Sequence, residues 1–120
     1  MKKIVLFMFI AMVLAASCGE KEKKYDVTLI EIKSSTCGAC EKMEPVMKKL
    51  KEKYEGSDKV NIIVYDTSTP EGSEKASRYN FKRLPTLIFL DKNKREYFRS
   101  ERRQSAAVIS AVIEAKTGKK

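Results

Sequence analysis

Two of the three cysteines in this chain stand in the motif Cys37-Gly38-Ala39-Cys40, the arrangement with the clearest capacity for chemistry. The motif follows a predicted strand and opens a predicted helix, where unpaired N–H groups and the helix dipole favour a thiolate over a thiol. A thiolate at Cys37 can attack a disulfide sulfur, and Cys40, one helical turn further on, can then resolve the mixed disulfide. The pattern therefore predicts thiol–disulfide exchange, with Gly38 admitting a substrate chain and Ala39 adding no bulk.

The composition excludes several other kinds of site. The 120 residues include no His, which rules out Ser-His-Asp triads, Cys-His pairs and His-containing zinc sites. A structural zinc ion needs four ligands and Cys18 is the one further cysteine, so a four-cysteine site shared by a dimer is the zinc alternative that stays open. An inert Cys37–Cys40 cross-link is a second alternative, although so short a loop adds little stability. We predict no metal and no cofactor.

The chain is strongly basic, with 25 Lys+Arg against 16 Asp+Glu and a net charge of +9. Glutamates interrupt the basic groups and no aromatic platform lies among them, so nucleic-acid binding is not predicted. A solvated helix face, or weak attraction to an anionic membrane surface, accounts for this charge more simply.

The first seventeen residues have the pattern of an export signal. Lys2 and Lys3 precede the apolar run Ile4–Ala16, which is shorter than the roughly 20 residues of a membrane span but suits a secretory signal. The stretch Leu14–Cys18 resembles a bacterial lipobox, with Ala15 where a large aliphatic residue is usual. We therefore predict cleavage before a lipidated Cys18, with ordinary cleavage nearby or an uncleaved anchor as the alternatives.

This assignment divides the chain into a lipoprotein signal peptide (1–17), a polar tether (18–25) and one domain (26–118). It places the domain on the periplasmic side of a bacterial cell envelope, attached to the membrane through a lipid anchor.

Hydrophobic periodicity divides the domain into strands and helices in the order β-α-β-α-β-β-α. Strands are predicted at 26–32, 60–65, 86–90 and 95–99, the second of them central because it is nearly continuous in apolar residues. The order predicts an α/β fold with a four-stranded mixed sheet, parallel across the helical crossovers. The helices are expected at 38 to about 54, about 70 to 79, and 104–116, and their buried residues are Met43, Met47, Leu50, Tyr54, Val108, Ile109, Val112 and Ile113.

The chain resembles thioredoxin over most of residues 26–117. Besides the Cys37–Cys40 motif at a strand–helix junction, Pro45 matches the kink of the family's active-site helix and Pro85 matches its cis-proline. Glu31 stands where thioredoxins carry a buried carboxylate. The resemblance implies a minimal thioredoxin-like fold and a protein disulfide oxidoreductase.

The resemblance also implies roles for particular residues. Pro85 packs against the disulfide, and the backbone of Leu84 pairs with a substrate peptide by β-augmentation. Glu31 takes the Cys40 proton as that sulfur attacks, the alternative being an exposed strand glutamate. The expected substrate-binding residues are Thr36, Gly38, Ala39, Leu84, Pro85 and Thr86.

The chain also departs from the family. Thr36 replaces the usual tryptophan, Ala39 replaces the usual proline, and Ile62 falls about where a lysine usually lies near the buried carboxylate. The first strand and helix of the family have no counterpart.

Three functions stay open at this stage. The favoured function is a membrane-tethered oxidoreductase. The reducing direction is preferred over the oxidising one, because the residue before Pro85 is apolar as in thioredoxin. Its expected partners are exported protein thiols and disulfides and a membrane electron donor or acceptor. The alternatives are a redox-inactive binding module and a Cu(I) carrier.

Overall fold

Strand β1 (Val27–Lys33) lies inside a four-stranded sheet whose other strands are β2 (Val60–Asp66), β3 (Thr86–Asp91) and β4 (Glu96–Ser100). The computed structural model describes residues 24–118 of the chain. The strands lie in the order β2-β1-β3-β4, with β1 parallel to β2 and the other two pairs antiparallel. The predicted α/β fold with a mixed four-stranded sheet is confirmed.

Strand β2 lies at an edge of the sheet, so the prediction of a central strand is wrong. Its apolar side chains are divided between two faces: Ile62 packs on one face, and Ile63 and Tyr65 pack on the other. The continuous apolar run therefore reflects hydrophobic packing on both faces of the strand and not two neighbouring strands. The sequence predicted parallel pairing across the helical crossovers. Within residues 24–118, only β1 and β2 pair in parallel, because β3 runs antiparallel to β1.

Three helices complete the described part of the chain: α1 (Gly38–Lys53), α2 (Pro70–Ser77) and α3 (Ala106–Thr117). Each begins after a side chain that accepts a hydrogen bond from the first turn, and these caps are Cys37, Thr69 and Ser105. Gly118 ends α3 in the left-handed conformation with a φ of 71°, as its position after the helix predicted.

Each face of the sheet carries a hydrophobic cluster. Helices α1 and α3 pack against one face, and α2 packs against the other, where Ala76 meets Ile30, Ile32 and Ile88. The prediction that Val108 is buried is wrong, because this residue lies beside the Ile109–Ile113 stripe of α3 and is 43% exposed. The other helical residues predicted to be buried belong to, or pack against, the first cluster: Met43, Met47, Leu50, Tyr54, Ile109, Val112 and Ile113.

The predicted signal peptide, Cys18 and most of the tether lie outside the described residues. Within residues 24–118, no helix combines the length and the apolar character that crossing a lipid bilayer requires.

Candidate active site

The two motif cysteines lie at the junction between β1 and α1 and are joined by a disulfide bond, with their Cα atoms 5.2 Å apart. Cys37 is the N-cap of α1, and its Sγ accepts a hydrogen bond from the backbone N–H of Cys40 over 3.1 Å. Cys37 is half-buried, whereas Cys40 is only 1% exposed. An incoming group can therefore reach the outer sulfur, while the protein covers the inner one.

A group of four hydroxyl residues, Ser34, Ser35, Thr36 and Ser68, holds the loop that precedes Cys37; we call it the hydroxyl cluster. The Ser68 hydroxyl lies 2.8 Å from Ser35 Oγ and 3.2 Å from Ser34 Oγ, and it accepts a 2.8 Å hydrogen bond from the Ser35 N–H. The Ser34 and Thr36 hydroxyls lie 3.0 Å apart. The cluster thus joins the β1–α1 loop to the β2–α2 loop.

Asp66, the last residue of β2, fixes the loop that contains Ser68. The Asp66 carboxylate accepts a 2.8 Å hydrogen bond from the Ser68 N–H, and the backbone and side-chain hydrogen bonds from Ser68 lower the pKa of that carboxyl. Our sequence reasoning did not assign Ser68 to the site. The sequence pattern that could have identified Ser68 is the pair of hydroxyl-rich stretches 34–36 and 67–69. These stretches follow two adjacent parallel strands, whose carboxyl ends lie at the same end of the sheet.

The loop before β3 reaches the same end of the sheet. The Leu84–Pro85 peptide bond is cis, as the family resemblance implied, and Pro85 is buried. Thr86 is also buried, pairs with Ile32 near the end of β1, and donates a hydrogen bond from its hydroxyl to the Arg83 carbonyl. The loop before β3 and the loop that carries Cys37 therefore lie at the same end of the sheet.

The remaining expected substrate-binding residues differ in their accessibility. Thr36 and Gly38 are exposed, while Ala39 and Leu84 are half-buried. Leu84 packs against the hydrophobic cluster on the α2 face.

Glu31 is a buried carboxylate, only 3% exposed, so the alternative of an exposed strand glutamate is wrong. It points to the α1 face, because its neighbours Ile30 and Ile32 belong to the cluster on the opposite face. It lines a cleft of about 510 Å³ together with Lys33, Lys51 and other residues. Burial raises the pKa of Glu31, and the positive charges of Lys33 and Lys51 partly offset that rise.

The sequence offers no clear counterpart of the lysine that usually lies near the buried carboxylate, but Lys33 and Lys51 lie near Glu31. The residue that pairs with Glu31 in β2 is Val64, while Ile62 pairs with Leu29. The positive charge comes instead from Lys33, two positions further along β1 and therefore on the same face, and from helix α1. The alternation of side chains along β1 could have predicted that Lys33 lies on the same face as Glu31.

Comparison with known proteins agrees with this geometry. The family model for thioredoxin matches residues 15–115. The chain belongs to the thioredoxin family. Thioredoxin-1 of Drosophila melanogaster is 33% identical over 67 residues, which cover 56% of this chain and 59% of that protein. The M-type chloroplastic thioredoxin of Spinacia oleracea is 29% identical over 68 residues, covering 57% of this chain and 35% of that protein.

A solved structure of thioredoxin-2, described as a component of malaria parasite protein secretion machinery, has 27% sequence identity and a TM-score of 0.68. The alignment covers 81% of this chain and 88% of that thioredoxin. The two curated thioredoxins are matched over much less of their length, 59% and 35%.

Proposed function

We propose that this protein is a thiol–disulfide oxidoreductase that exchanges disulfides with other polypeptides through Cys37 and Cys40. The observation that carries the proposal is the Cys37–Cys40 disulfide at the start of α1, with a half-buried outer sulfur and an enclosed inner one. The N–H of Cys40 that donates to Cys37 Sγ would stabilise negative charge on that sulfur after reduction.

In the reducing direction, the Cys37 thiolate attacks one sulfur of a substrate disulfide, and the substrate S–S bond breaks. The attacked sulfur forms a mixed disulfide with Cys37, and the other substrate sulfur leaves as a thiolate and takes a proton from solvent. Cys40 then loses its proton to Glu31, directly or through water, and attacks Cys37 Sγ. This closes the Cys37–Cys40 disulfide and releases the second substrate thiolate, so two electrons pass from the protein to the substrate.

Geometry supports Glu31 as the proton acceptor. Its carboxylate is buried on the same face of the sheet as α1, the helix that carries Cys40. Burial raises its pKa, so the carboxylate binds a proton more readily than an exposed glutamate does.

For substrate binding, we propose a surface around Cys37 formed by the exposed Thr36 and Gly38, Ala39, and the loop Leu84–Thr86. Pro85 has no N–H that could compete with an incoming peptide, and the backbone of Leu84 would pair with an extended substrate segment. Main-chain pairing of this kind would accept many sequences, which suits exchange with several proteins.

We also propose that the protein is exported and attached to the periplasmic side of the membrane through a lipid on Cys18. The charged start at Lys2 and Lys3, the apolar run Ile4–Ala16 and the small residues before Cys18 support this. Regeneration of the dithiol then requires a membrane dithiol donor, and exported proteins supply the disulfides.

The test is reduction of insulin disulfides by the full chain with dithiothreitol as the electron source. Wild type should be active and Cys37→Ser inactive, whereas Cys40→Ser should accumulate a mixed disulfide with the substrate. Cys18→Ser is the matched control and should keep wild-type activity, because that cysteine lies outside the motif. Activity that survives in Cys37→Ser would refute the proposal.

Two further results would decide between the alternatives. Unchanged partner binding by a Cys37→Ser/Cys40→Ser variant without any wild-type exchange activity would support a redox-inactive module, and stoichiometric retention of Cu(I) would support a metal carrier. A reduction potential well below about −220 mV would indicate a reductant, and one near −120 mV an oxidant.

A further inference from the structure

Within residues 24–118, the face of the sheet opposite α1 and α3 is incompletely covered. Of the helices in residues 24–118, only α2, which spans eight residues, contributes to this face. A groove of about 820 Å³ lies beside it, with an apolar floor formed by Ile30, Ile63 and Leu90. Tyr65 and Tyr79 also line the groove and stack with their ring centroids 6.2 Å apart. We call this feature the basic groove, because lysine and arginine side chains line it.

Four of the five charged residues that line the basic groove are cations. The described residues place Lys24, Arg78, Lys92 and Lys94 there, against the single carboxylate of Asp91. Asp91 is held by backbone hydrogen bonds from the N–H groups of Asn93 and Arg95, at 2.8 and 3.0 Å. The groove thus combines net positive charge with tyrosine rings, the two residue types that favour the headgroup region of an anionic bilayer.

The path of the chain brings this groove close to the proposed anchor. Lys24, the first described residue, lines the groove, and Cys18 precedes it by six residues. Six residues span at most about 21 Å even when fully extended. A lipid on Cys18 would therefore keep the groove within that distance of the membrane.

The dithiol lies at the other end of the same strand. Strand β1 begins at Val27, three residues after Lys24, and ends at Lys33, four residues before Cys37. Seven residues of strand extend about 23 Å. The end of β1 that is joined to the tether and the end that is joined to the active site are therefore far apart.

We propose that the basic groove is a docking surface for an anionic lipid bilayer and holds the α2 face of the sheet toward the membrane, with helix α1 on the side away from it. The proposal rests on the N-terminal anchoring proposed above and is independent of the thiol chemistry. Docking in this position leaves helix α1, which begins after Cys37, on the face of the sheet that is open to the aqueous compartment.

The experiment uses the full chain reconstituted into vesicles of phosphatidylcholine alone or of equal parts phosphatidylcholine and phosphatidylglycerol. Flotation reports anchoring, and the rate of lysine acetylation, read by mass spectrometry, reports docking. Lys92 is the reporter in the groove, and the exposed Lys49 of α1, on the opposite face of the sheet, is the control within the same molecule. The rates are compared between the two vesicle types.

On anionic vesicles, Lys92 should be acetylated at least about fivefold more slowly than on neutral ones, the factor expected for one cation at an anionic surface. Lys49 should react equally on both, and high salt should abolish the difference. A Lys24→Gln/Arg78→Gln variant should lose most of the Lys92 protection. A Lys42→Gln/Lys48→Gln variant, with the same loss of charge on α1, should keep it.

Each other result overturns part of the proposal. A chain that floats with neither vesicle type refutes both anchoring and docking, whereas a chain that floats with both and shows equal Lys92 rates refutes docking alone. Equal protection of Lys92 on neutral vesicles and in detergent would mean that something other than an anionic surface fills the groove, such as the N-terminal segment of the chain. Equal protection of Lys49 and Lys92 would refute the orientation, and insulin reduction on the same vesicles tests the exchange activity separately.

Discussion

Cys37 has a structural role that can be separated from its chemistry, because its side chain caps helix α1. The Sγ atom accepts the Cys40 N–H at 3.1 Å, with Cys37 in an extended backbone conformation (φ −93°, ψ 111°) that suits an N-cap. Serine can replace sulfur in this hydrogen bond and alanine cannot. Cys37→Ser and Cys37→Ala should therefore both abolish insulin reduction but differ in stability.

The loss of an N-cap hydrogen bond costs about 1 kcal/mol. For a domain of this size, that corresponds to a melting temperature about 4–8 °C lower for Cys37→Ala than for Cys37→Ser. Neither variant can form the disulfide, so the contribution of the cross-link cancels in the comparison. Thermal unfolding followed by circular dichroism measures the difference.

Ser105→Ala provides the matched control at another helix. Ser105 caps α3 through a 3.2 Å hydrogen bond from the Val108 N–H, far along the chain from the cysteines. This variant should lose a similar amount of stability and keep full insulin reduction. If Cys37→Ala melts at the same temperature as Cys37→Ser, the inference that Cys37 caps α1 is wrong.

Three further predictions concern the surroundings of the dithiol. Burial raises the pKa of Glu31 above its ordinary value of 4.5, so the folded protein keeps this proton to higher pH than the unfolded chain does, and stability falls as pH rises through that interval. Glu31→Gln should remove this component, be more stable than wild type at pH 7 in urea unfolding, and reduce insulin more slowly; equal stability across the pH range would contradict the burial argument. Gly72→Ala should be strongly destabilising because the added Cβ would overlap the backbone at the end of β2, whereas Gly38→Ala meets no atom within 4 Å and should leave the melting temperature nearly unchanged. Ser68→Ala should lower the free energy of unfolding by about 1 kcal/mol, because it removes the hydroxyl that accepts the Ser35 N–H and joins the two loops, and Ser68→Thr, which keeps a hydroxyl, should restore most of it; unchanged stability in urea unfolding would contradict a structural role of the hydroxyl cluster.

Local periodicity was enough to predict the elements that position the site. The spacing of Met43, Met47 and Leu50 placed α1 against the sheet, and all three are buried. Alternation along β1 placed Glu31 on the face opposite Ile30 and Ile32, as the structure shows. These predictions succeeded because each depends on the geometry of one helix or one strand.

The features that sequence reasoning missed depend on contacts between elements. The edge position of β2 follows from which strands pair, and an apolar run such as 60–65 does not encode that. Lys51 lines the cleft around Glu31 because α1 packs on the face of the sheet to which Glu31 points. The hydroxyl cluster requires Ser34 and Ser68 to meet across two loops, 34 residues apart in the chain.

Strand β1 leads from the first described residues at one end to the cysteine loop at the other, and it is hydrogen-bonded on both sides, to β2 and to β3. A pull on the N-terminus would therefore load both ladders in shear, so that many hydrogen bonds bear the force together and none is opened singly. If the chain is anchored at its N-terminus as proposed, thermal motion of the domain should then leave the spacing of the two sulfurs undisturbed. The same strand would therefore bear a force applied at the N-terminus and hold the loop that carries the dithiol in a fixed position.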